Sequence, residues 1–513
     1  MPIILKLTAE KMTSEIYKKI GGNSIYTLIR RMIILPIGLA IVPIIIKFIG
    51  IEGYGVWIMI QTLLTYSSVM DMGLSPAITK YTAEYEGHGD HGKITQIFNT
   101  LFVVYVVLCL ILFLIVFVCK GMIVDSFVRP INIPKETVSF ALIISMLVFV
   151  CNMAFSVYPS FLNGLQRMDV TNKIDSVSSI IKFVASILFL YLGGGIKGLA
   201  VAGGVSCIIT ITMYIYNCKR IASYLTFNPF LFNYKTLKEI WGFSIYGAMN
   251  NIVAMIHLQL DKLIINYFLG VNSLALYDIA HRLVFFLWGL CGSFVAPVMP
   301  AISKIHASCG IEKSKEVFQT IFKYTSLIIC PIFLFVSVFA NTLIVAWLGN
   351  GYENAVSVLR VLSLAYMINI LCGPVTSVLG GIGSYKVSFY GSAVASVATV
   401  LFCPILSAKL GILGCAIGIL IAFIMADTFL FICLQRLFSI SSMPRVLYNS
   451  LSFPVVISVI IFLTANILIG HFCLNRYIGL ILASISLLIV YGLLSYKDRN
   501  YRAVWQSISA VRL

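Results

Sequence analysis

The sequence predicts an all-α integral membrane protein with about 14 transmembrane helices. Two parallel six-helix repeats would form two lobes around a central cavity, followed by two further helices at the C-terminus. Three observations lead to this fold class: the composition, the length of the apolar runs, and an internal repeat. Of the 513 residues, 60% are hydrophobic and 11% are charged. A soluble domain is roughly 45–50% apolar and about a quarter charged, so the composition is that of a membrane protein.

The apolar runs have the length of membrane-spanning helices, which need about 20 mostly apolar residues. The predicted spans are 25–49, 53–75, 96–119, 138–162, 174–193, 196–217, 241–269, 273–302, 319–341, 354–380, 386–408, 411–435, 450–470 and 477–495. The connections between them are short. None could hold a catalytic domain outside the membrane.

The spans and connections predict six segments along the chain. They are a cytoplasmic N-terminal segment (1–23), a first six-helix lobe (24–220), a cytoplasmic linker (221–239), a second six-helix lobe (240–436), two extra C-terminal helices (437–496) and a cytoplasmic tail (497–513). The first segment contains four lysines and lacks the apolar core of a signal peptide, so we do not interpret it as one.

The net charge of +17 predicts the orientation of the chain in the membrane. In a soluble protein such a charge would suggest a nucleic-acid partner. Here the lysines and arginines concentrate in alternate loops and in both terminal segments. Cytoplasmic loops carry the excess of basic residues, so we expect both termini in the cytoplasm and no nucleic-acid partner.

The internal repeat has an offset of about 220 residues, measured from Gly22 to Gly242. The pattern G-x-S-I-Y occurs at 22–26 and again at 242–246, and the same shift pairs Gly50 with Gly270. The offset covers six predicted helices. Because six is even, both copies insert the same way round, which predicts a pseudo-two-fold axis along the membrane normal.

Several stretches resemble a known family. The run GIEGYGVWIMIQTLLTYSSVMDMGLSPAITKYTAEYEGHGD resembles the N-terminal signature of Wzx-type polysaccharide flippases, in the multidrug/oligosaccharidyl-lipid/polysaccharide exporter superfamily. QLDKLIINYFLG, ALYDIAHRL and VAWLGNGYENAVSVLRVLSLAYMINILCGPVTSVLGGIGSYK are similar to its second lobe. The resemblance implies alternating-access transfer of an undecaprenyl-pyrophosphate-linked oligosaccharide, such as an O-antigen unit, from the cytoplasmic to the periplasmic leaflet of a bacterial inner membrane. Membrane lipids, a polysaccharide polymerase and a chain-length regulator are the partners it implies.

Basic residues inside the spans are the candidates for binding an anionic head group: Arg30, Arg31, Lys182 and Arg282. A charge at the bilayer centre costs about 2.5–3.5 kcal/mol when it faces lipid, so such residues should face water or a partner. A guanidinium can bind two pyrophosphate oxygens at once. Arg30 and Arg31 could instead reach the membrane surface. Arg282 could form an ion pair with Asp278, four residues earlier.

The candidate charges are not repeated in the second lobe. Under the shift of about 220 residues, Arg30 and Arg31 align with Asn250 and Asn251. The first lobe alone would therefore present these arginines, and we expect the pyrophosphate on its side of the cavity.

Asp261 is the candidate for coupling transport to an ion gradient, with H+ or Na+ as the ion. It lies well inside the seventh predicted span among leucines and isoleucines. Burial there favours the protonated carboxyl, as a proton-coupling site requires. A salt bridge to a basic residue on a neighbouring helix explains the same residue equally well.

Other functions lack the residues they need. The sequence has no GxxxxGK[ST] motif for ATP, its cysteines form no CxxC pair, and its six histidines are dispersed, so we expect no cofactor, metal or enzymatic activity. Two alternatives remain open. One is an ion-coupled multidrug or small-molecule antiporter, which the basic excess disfavours, and the other is a membrane-embedded polysaccharide polymerase or acyltransferase.

Overall fold

The computed structural model describes the backbone of residues 2–71, 73–295, 297–440 and 442–471. Side chains at 2–25, 28, 241–258 and 465–471 lie outside the described part, and so do the predicted span 477–495 and the predicted tail 497–513. The chain divides into two compact units, Met1–Met255 and Ile256–Leu513. The finer segment boundaries given above stay a prediction.

The described residues are helical nearly throughout. The first unit contains α1 (Pro2–Ser67), α2 (Leu74–His88), α3 (His91–Ile123), α4 (Lys135–Ala154), α5 (Val157–Gly164), α6 (Met168–Tyr191) and α7 (Gly195–Ile221). Then come α8 (Tyr234–Val295), α9 (Val298–Val338), α10 (Ala340–Leu348), α11 (Glu353–Leu371), α12 (Gly373–Gly381), α13 (Tyr385–Leu437) and α14 (Met443–His471). Nine segments of this described part are long and apolar enough to cross a membrane, which confirms the predicted class.

Four of the long helices are kinked at a glycine between two predicted spans. α1 is interrupted at Gly50 (φ 71°), α8 at Gly270 (φ 78°), α9 at Gly310 (φ 77°) and α13 at Gly411 (φ 63°). Glycine lacks a Cβ atom and therefore adopts positive φ without a steric penalty. The two members of the repeat, Gly50 and Gly270, thus make the same backbone turn. These breaks make the described residues compatible with the predicted helix count.

Several predicted spans are broken where the prediction had them continuous, and two of these breaks lie shortly before a proline. The span 138–162 is divided between α4 and α5 at Phe155, and 354–380 is divided between α11 and α12 at Cys372. Each new helix has a proline in its first turn, Pro159 in α5 and Pro374 in α12. Proline fits the first turn of a helix and disrupts its interior, so the break falls just before it.

The outer faces are apolar, as a lipid environment requires. On α3, Leu110, Leu114 and Val118 recur at every fourth residue and are all exposed. Residues four apart share one face of a helix. This exposed stripe would be unfavourable in water and fits contact with lipid tails. The polar residues described next lie inside the units instead.

Candidate functional site

The first unit contains a polar cavity of about 560 Å³ between α1, α4, α5, α6 and α7. Its polar lining residues include Arg30, Asn152, Asn163, Asn172, Asp175 and Tyr214. The four helices α4 to α7 thus surround an arginine that projects from a membrane-spanning helix. A charged side chain in such a cavity avoids the cost of facing lipid.

Arg30 contacts two residues of α6. Its Nε lies 3.4 Å from Asp175 Oδ2, and its Nη1 donates to Asn172 Oδ1 at 3.4 Å. Asn172 and Asp175 are three residues apart and therefore lie on one helix face. Asn172 also donates to Thr27 Oγ1 at 3.1 Å, which fixes α6 to the helix that carries Arg30.

Asp175 has a second partner on the opposite wall. Tyr214 of α7 donates its hydroxyl to Asp175 Oδ1 at 2.7 Å. Neighbouring hydroxyls are also paired, since Thr210 Oγ1 lies 2.5 Å from Ser178 Oγ. The cavity therefore combines one cation, one anion and several neutral hydrogen-bonding groups.

The start of α6 is fixed by an ion pair outside the cavity. Arg167 Nε donates to Asp169 Oδ1 at 3.0 Å, and this hydrogen bond raises the pKa of the Arg167 guanidinium. Asp169 lies in the first turn of α6, where a negative charge interacts favourably with the helix dipole. The pair sets the position from which Asn172 and Asp175 project.

The other predicted residues of the first unit lie close by but not in this cavity. Arg31 is exposed, because adjacent helical residues point about 100° apart and Arg30 occupies the inward direction. Lys182 lines a second cavity of about 360 Å³ together with Gln61 and Asn152. Asn152 lines both cavities. Arg30 and Lys182 therefore line two adjoining cavities of the first unit.

Arg282, in the second unit, forms the ion pair that the sequence left as an alternative. Its Nε donates to Asp278 Oδ2 at 2.6 Å, and Lys262 Nζ donates to Asp278 Oδ1 at 2.9 Å. Asp278 is fully buried. One buried carboxylate therefore binds two cations.

Asp261 is buried and held by hydrogen bonds. Its Oδ2 accepts from the Tyr277 hydroxyl at 2.6 Å, and its Oδ1 accepts from the Lys262 backbone N–H at 2.9 Å. The expected alternative was a salt bridge to a neighbouring helix. Among the ion pairs of the described residues, Asp261 takes part in none, and the adjacent Lys262 side chain is directed to Asp278.

The sequence interpretation missed a buried polar group beside Asp261. His281 Nε2 lies 2.9 Å from the Tyr366 hydroxyl, and its ring stacks on Tyr277 with centroids 6.0 Å apart. A signal was present, because Tyr277, His281 and Phe285 follow one another at intervals of four on one helix face. At the sequence level, the dispersed histidines serve only as an argument against an enzyme or a metal site.

The sequence HGDHG, at residues 88–92, includes the N-terminal cap of α3. Asp90 accepts from the Lys93 backbone N–H at 2.9 Å and caps α3, while the His91 ring stacks on Tyr224 at 4.0 Å. Burial, and then the Glu86 carboxylate, raise the pKa of Tyr224. Within the part of the chain that the structure describes, no group of three metal-ligating side chains occurs.

Several proteins similar to this chain are named as transporters or flippases. A protein of Shigella flexneri named "Putative O-antigen transporter" is 22% identical over 408 residues, covering 77% of this chain and 93% of that protein. The structure of the lipid II flippase MurJ in its inward closed conformation matches with a TM-score of 0.74 at 17% identity, covering 93% of this chain and 99% of that one.

A second solved structure shares the fold. The inward-facing conformation of a multidrug resistance MATE family transporter of the MOP superfamily matches with a TM-score of 0.64 at 16% identity, covering 82% of this chain and 100% of that one. These likenesses confirm the predicted two-lobe transporter fold. The family model described as "Polysaccharide biosynthesis protein" matches residues 44–357, more than half of the sequence, and the chain therefore belongs to this family.

Proposed function

We propose that this protein flips a lipid-linked oligosaccharide across a bacterial inner membrane, from the cytoplasmic to the periplasmic leaflet, by alternating access. The observation that best supports this proposal is the position of Arg30, which projects from a membrane-spanning helix into a polar cavity of about 560 Å³. A substrate of this class joins a polyprenyl chain to sugars through pyrophosphate. The pyrophosphate is the part that cannot cross hydrocarbon unaided. A cation in the cavity can bind it and lower the energetic cost of bringing its charge into the membrane.

The names of the similar proteins support this substrate class. One relative is named an O-antigen transporter, and one protein of the same fold is named a lipid II flippase. The family itself is described by polysaccharide biosynthesis. Together they favour a saccharide carried on a lipid over a soluble metabolite. A polysaccharide polymerase and a chain-length regulator are proposed partners on the same grounds.

The four predicted cations contribute unequally in this proposal. Arg30 contacts the pyrophosphate first, and Lys182 in the adjoining cavity receives it next. Arg31 acts from the exposed side of the same helix and attracts the anion to the entrance. Arg282 contributes least, because Asp278 already neutralises it.

Surface polysaccharide tests the role of the arginines. In a strain whose own flippase is deleted, the wild-type chain should restore surface polysaccharide, whereas the double variant Arg30→Ala, Arg31→Ala should restore less than about a tenth of it. That loss corresponds to about 1.4 kcal/mol of head-group binding. The variant must insert to the wild-type level by immunoblot, and the exposed Arg445→Ala serves as the matched control. Normal polysaccharide from the double variant would exclude these arginines from binding.

A multidrug antiporter is the second candidate, because a MATE family transporter shares the fold. The two functions are distinguished by drug susceptibility. If the chain raises resistance to cationic dyes without restoring polysaccharide, the antiporter is correct.

A further inference from the structure

Two arginines within the spans are held by carboxylates in very different ways. Arg282 lies 2.6 Å from Asp278, which is fully buried and is also bound by Lys262 at 2.9 Å. Arg30 lies 3.4 Å from Asp175, and the two side chains are 41% and 33% exposed. An ion pair with this degree of exposure is weak because water screens it. Arg282 is therefore fixed, whereas Arg30 can exchange its partner.

If the exposed ion pair separates, Asp175 keeps another hydrogen bond and Arg30 can turn into the cavity. Tyr214 donates to the other oxygen of Asp175 at 2.7 Å, so the carboxylate stays hydrogen-bonded without Arg30. The second contact of Arg30, with Asn172 Oδ1, is 3.4 Å long and so near the limit of a hydrogen bond. The guanidinium can consequently turn toward the cavity with little loss.

We propose that Asp175 is an internal counter-anion that competes with the pyrophosphate of the substrate for Arg30 and so promotes release of the head group. This inference rests on the proposed function. In the substrate-free cavity, Asp175 neutralises Arg30. An arriving pyrophosphate carries more charge than a carboxylate and offers two oxygens to the guanidinium fork, so it displaces Asp175.

The same competition acts in reverse when the substrate leaves. Asp175, held in place by Tyr214, remains within a side-chain rotation of Arg30 and takes it back. A transport site must bind strongly enough to load and weakly enough to unload, as in ion channels. An arginine without a competing anion would load well and unload slowly. Asp175 thus acts through Arg30 as a positioning residue.

Pyrophosphate binding and lipid translocation together test this role in the full-length protein. Inorganic pyrophosphate is titrated calorimetrically into protein in nanodiscs, and translocation of a fluorescent lipid-linked oligosaccharide is followed in liposomes. Asp175→Asn should bind pyrophosphate about fivefold more tightly, the size expected for one partly exposed charge, and translocate several-fold more slowly. Asp125→Asn, which removes a carboxylate from an exposed pair with Lys135, is the matched control and should change neither value.

Two results would overturn the proposal. If Asp175 only stabilised the fold, Asp175→Asn would lower the unfolding temperature and leave pyrophosphate binding unchanged or weaker, which would overturn the proposal. Asp175→Glu keeps the competing charge, so any gain in affinity with that variant would also overturn it, even if Asp175→Asn does not insert. A third result separates this inference from the proposed function. If Asp175→Asn binds pyrophosphate more tightly but the wild-type chain translocates no lipid-linked oligosaccharide, Asp175 does compete with pyrophosphate for Arg30 and the proposed substrate is wrong.

Discussion

At the scale of single residues, two buried carboxylates of the second unit, Asp261 and Asp278, have different partners. Asp278 is bound by two cations, Lys262 and Arg282. Asp261, seventeen residues earlier and on the other side of the break at Gly270, has a tyrosine hydroxyl and a backbone N–H as its hydrogen-bond donors. A carboxyl without a cationic partner can take up a proton or a small cation at the least electrostatic cost. The proposal that Asp261 couples transport to an ion gradient therefore stays a prediction, which the following variant tests.

Replacing Asp261 by Asn should uncouple transport from the ion gradient. The amide keeps the size of the side chain and can still accept from the Tyr277 hydroxyl, but it cannot be protonated or neutralise a cation. In liposomes, we expect lipid translocation by Asp261→Asn to lose its dependence on an imposed pH or Na+ gradient. Tyr277→Phe removes the hydrogen bond and keeps the carboxyl, so it should retain gradient dependence. Gradient dependence unchanged in Asp261→Asn would move coupling to another residue.

At the scale of helices, single glycines determine where the long helices α1 and α8 are interrupted. Gly50 has φ 71° and ψ 179°, and Gly270 has φ 78° and ψ 177°. This region of backbone space is open almost only to glycine. An added Cβ would meet no atom within 4 Å at either position. The requirement for glycine is therefore a property of the backbone alone, and it recurs in both halves because the repeat places the same turn in each.

Gly50→Ala should lower the free energy of unfolding by about 1–3 kcal/mol, the usual cost of forcing a side chain into this conformation. Gly38 provides the control within the same helix, since it is helical and an added Cβ would also meet open space. Gly38→Ala should leave stability unchanged or raise it by about 0.5–1 kcal/mol. Thermal unfolding of both variants in detergent measures the difference. Equal stability of the two would show that the turn tolerates a side chain.

At the scale of the whole molecule, the distribution of charge sets the orientation. The chain carries 36 Lys and Arg residues against 19 Asp and Glu, and the basic residues concentrate in the terminal segments and alternate loops. By the positive-inside rule this distribution predicts both termini on the cytoplasmic side, which would require an even number of crossings. The kinks at Gly50, Gly270 and Gly411 separate spans in agreement with such a count.

Reporter fusions test that orientation. Green fluorescent protein fused at either terminus should fluoresce, and alkaline phosphatase at either terminus should be inactive, because both termini are predicted in the cytoplasm. Alkaline phosphatase inserted after Asn132, in a connection predicted to lie outside, should be active. The reverse pattern at one terminus would mean an odd number of crossings.

The local properties of the sequence determined much of this protein. Hydropathy over about 20 residues identified the membrane class and most spans, and the repeat predicted the shared turn at Gly50 and Gly270. These properties can be calculated from residues close together in the chain. The breaks before Pro159 and Pro374 were missed, because an apolar run looks continuous even where a proline starts a new helix.

Only the tertiary structure decided which polar residues meet. Arg30 contacts Asp175 and Asn172 on another helix, whereas the adjacent Arg31 is exposed. His281 pairs with Tyr366, 85 residues away, although neither had been a candidate. Such partners depend on how each helix is rotated about its axis and which neighbour it packs against, and the sequence of one helix does not contain that information. The sequence therefore determined which charges enter the membrane, and the packing of the helices decided how each is neutralised.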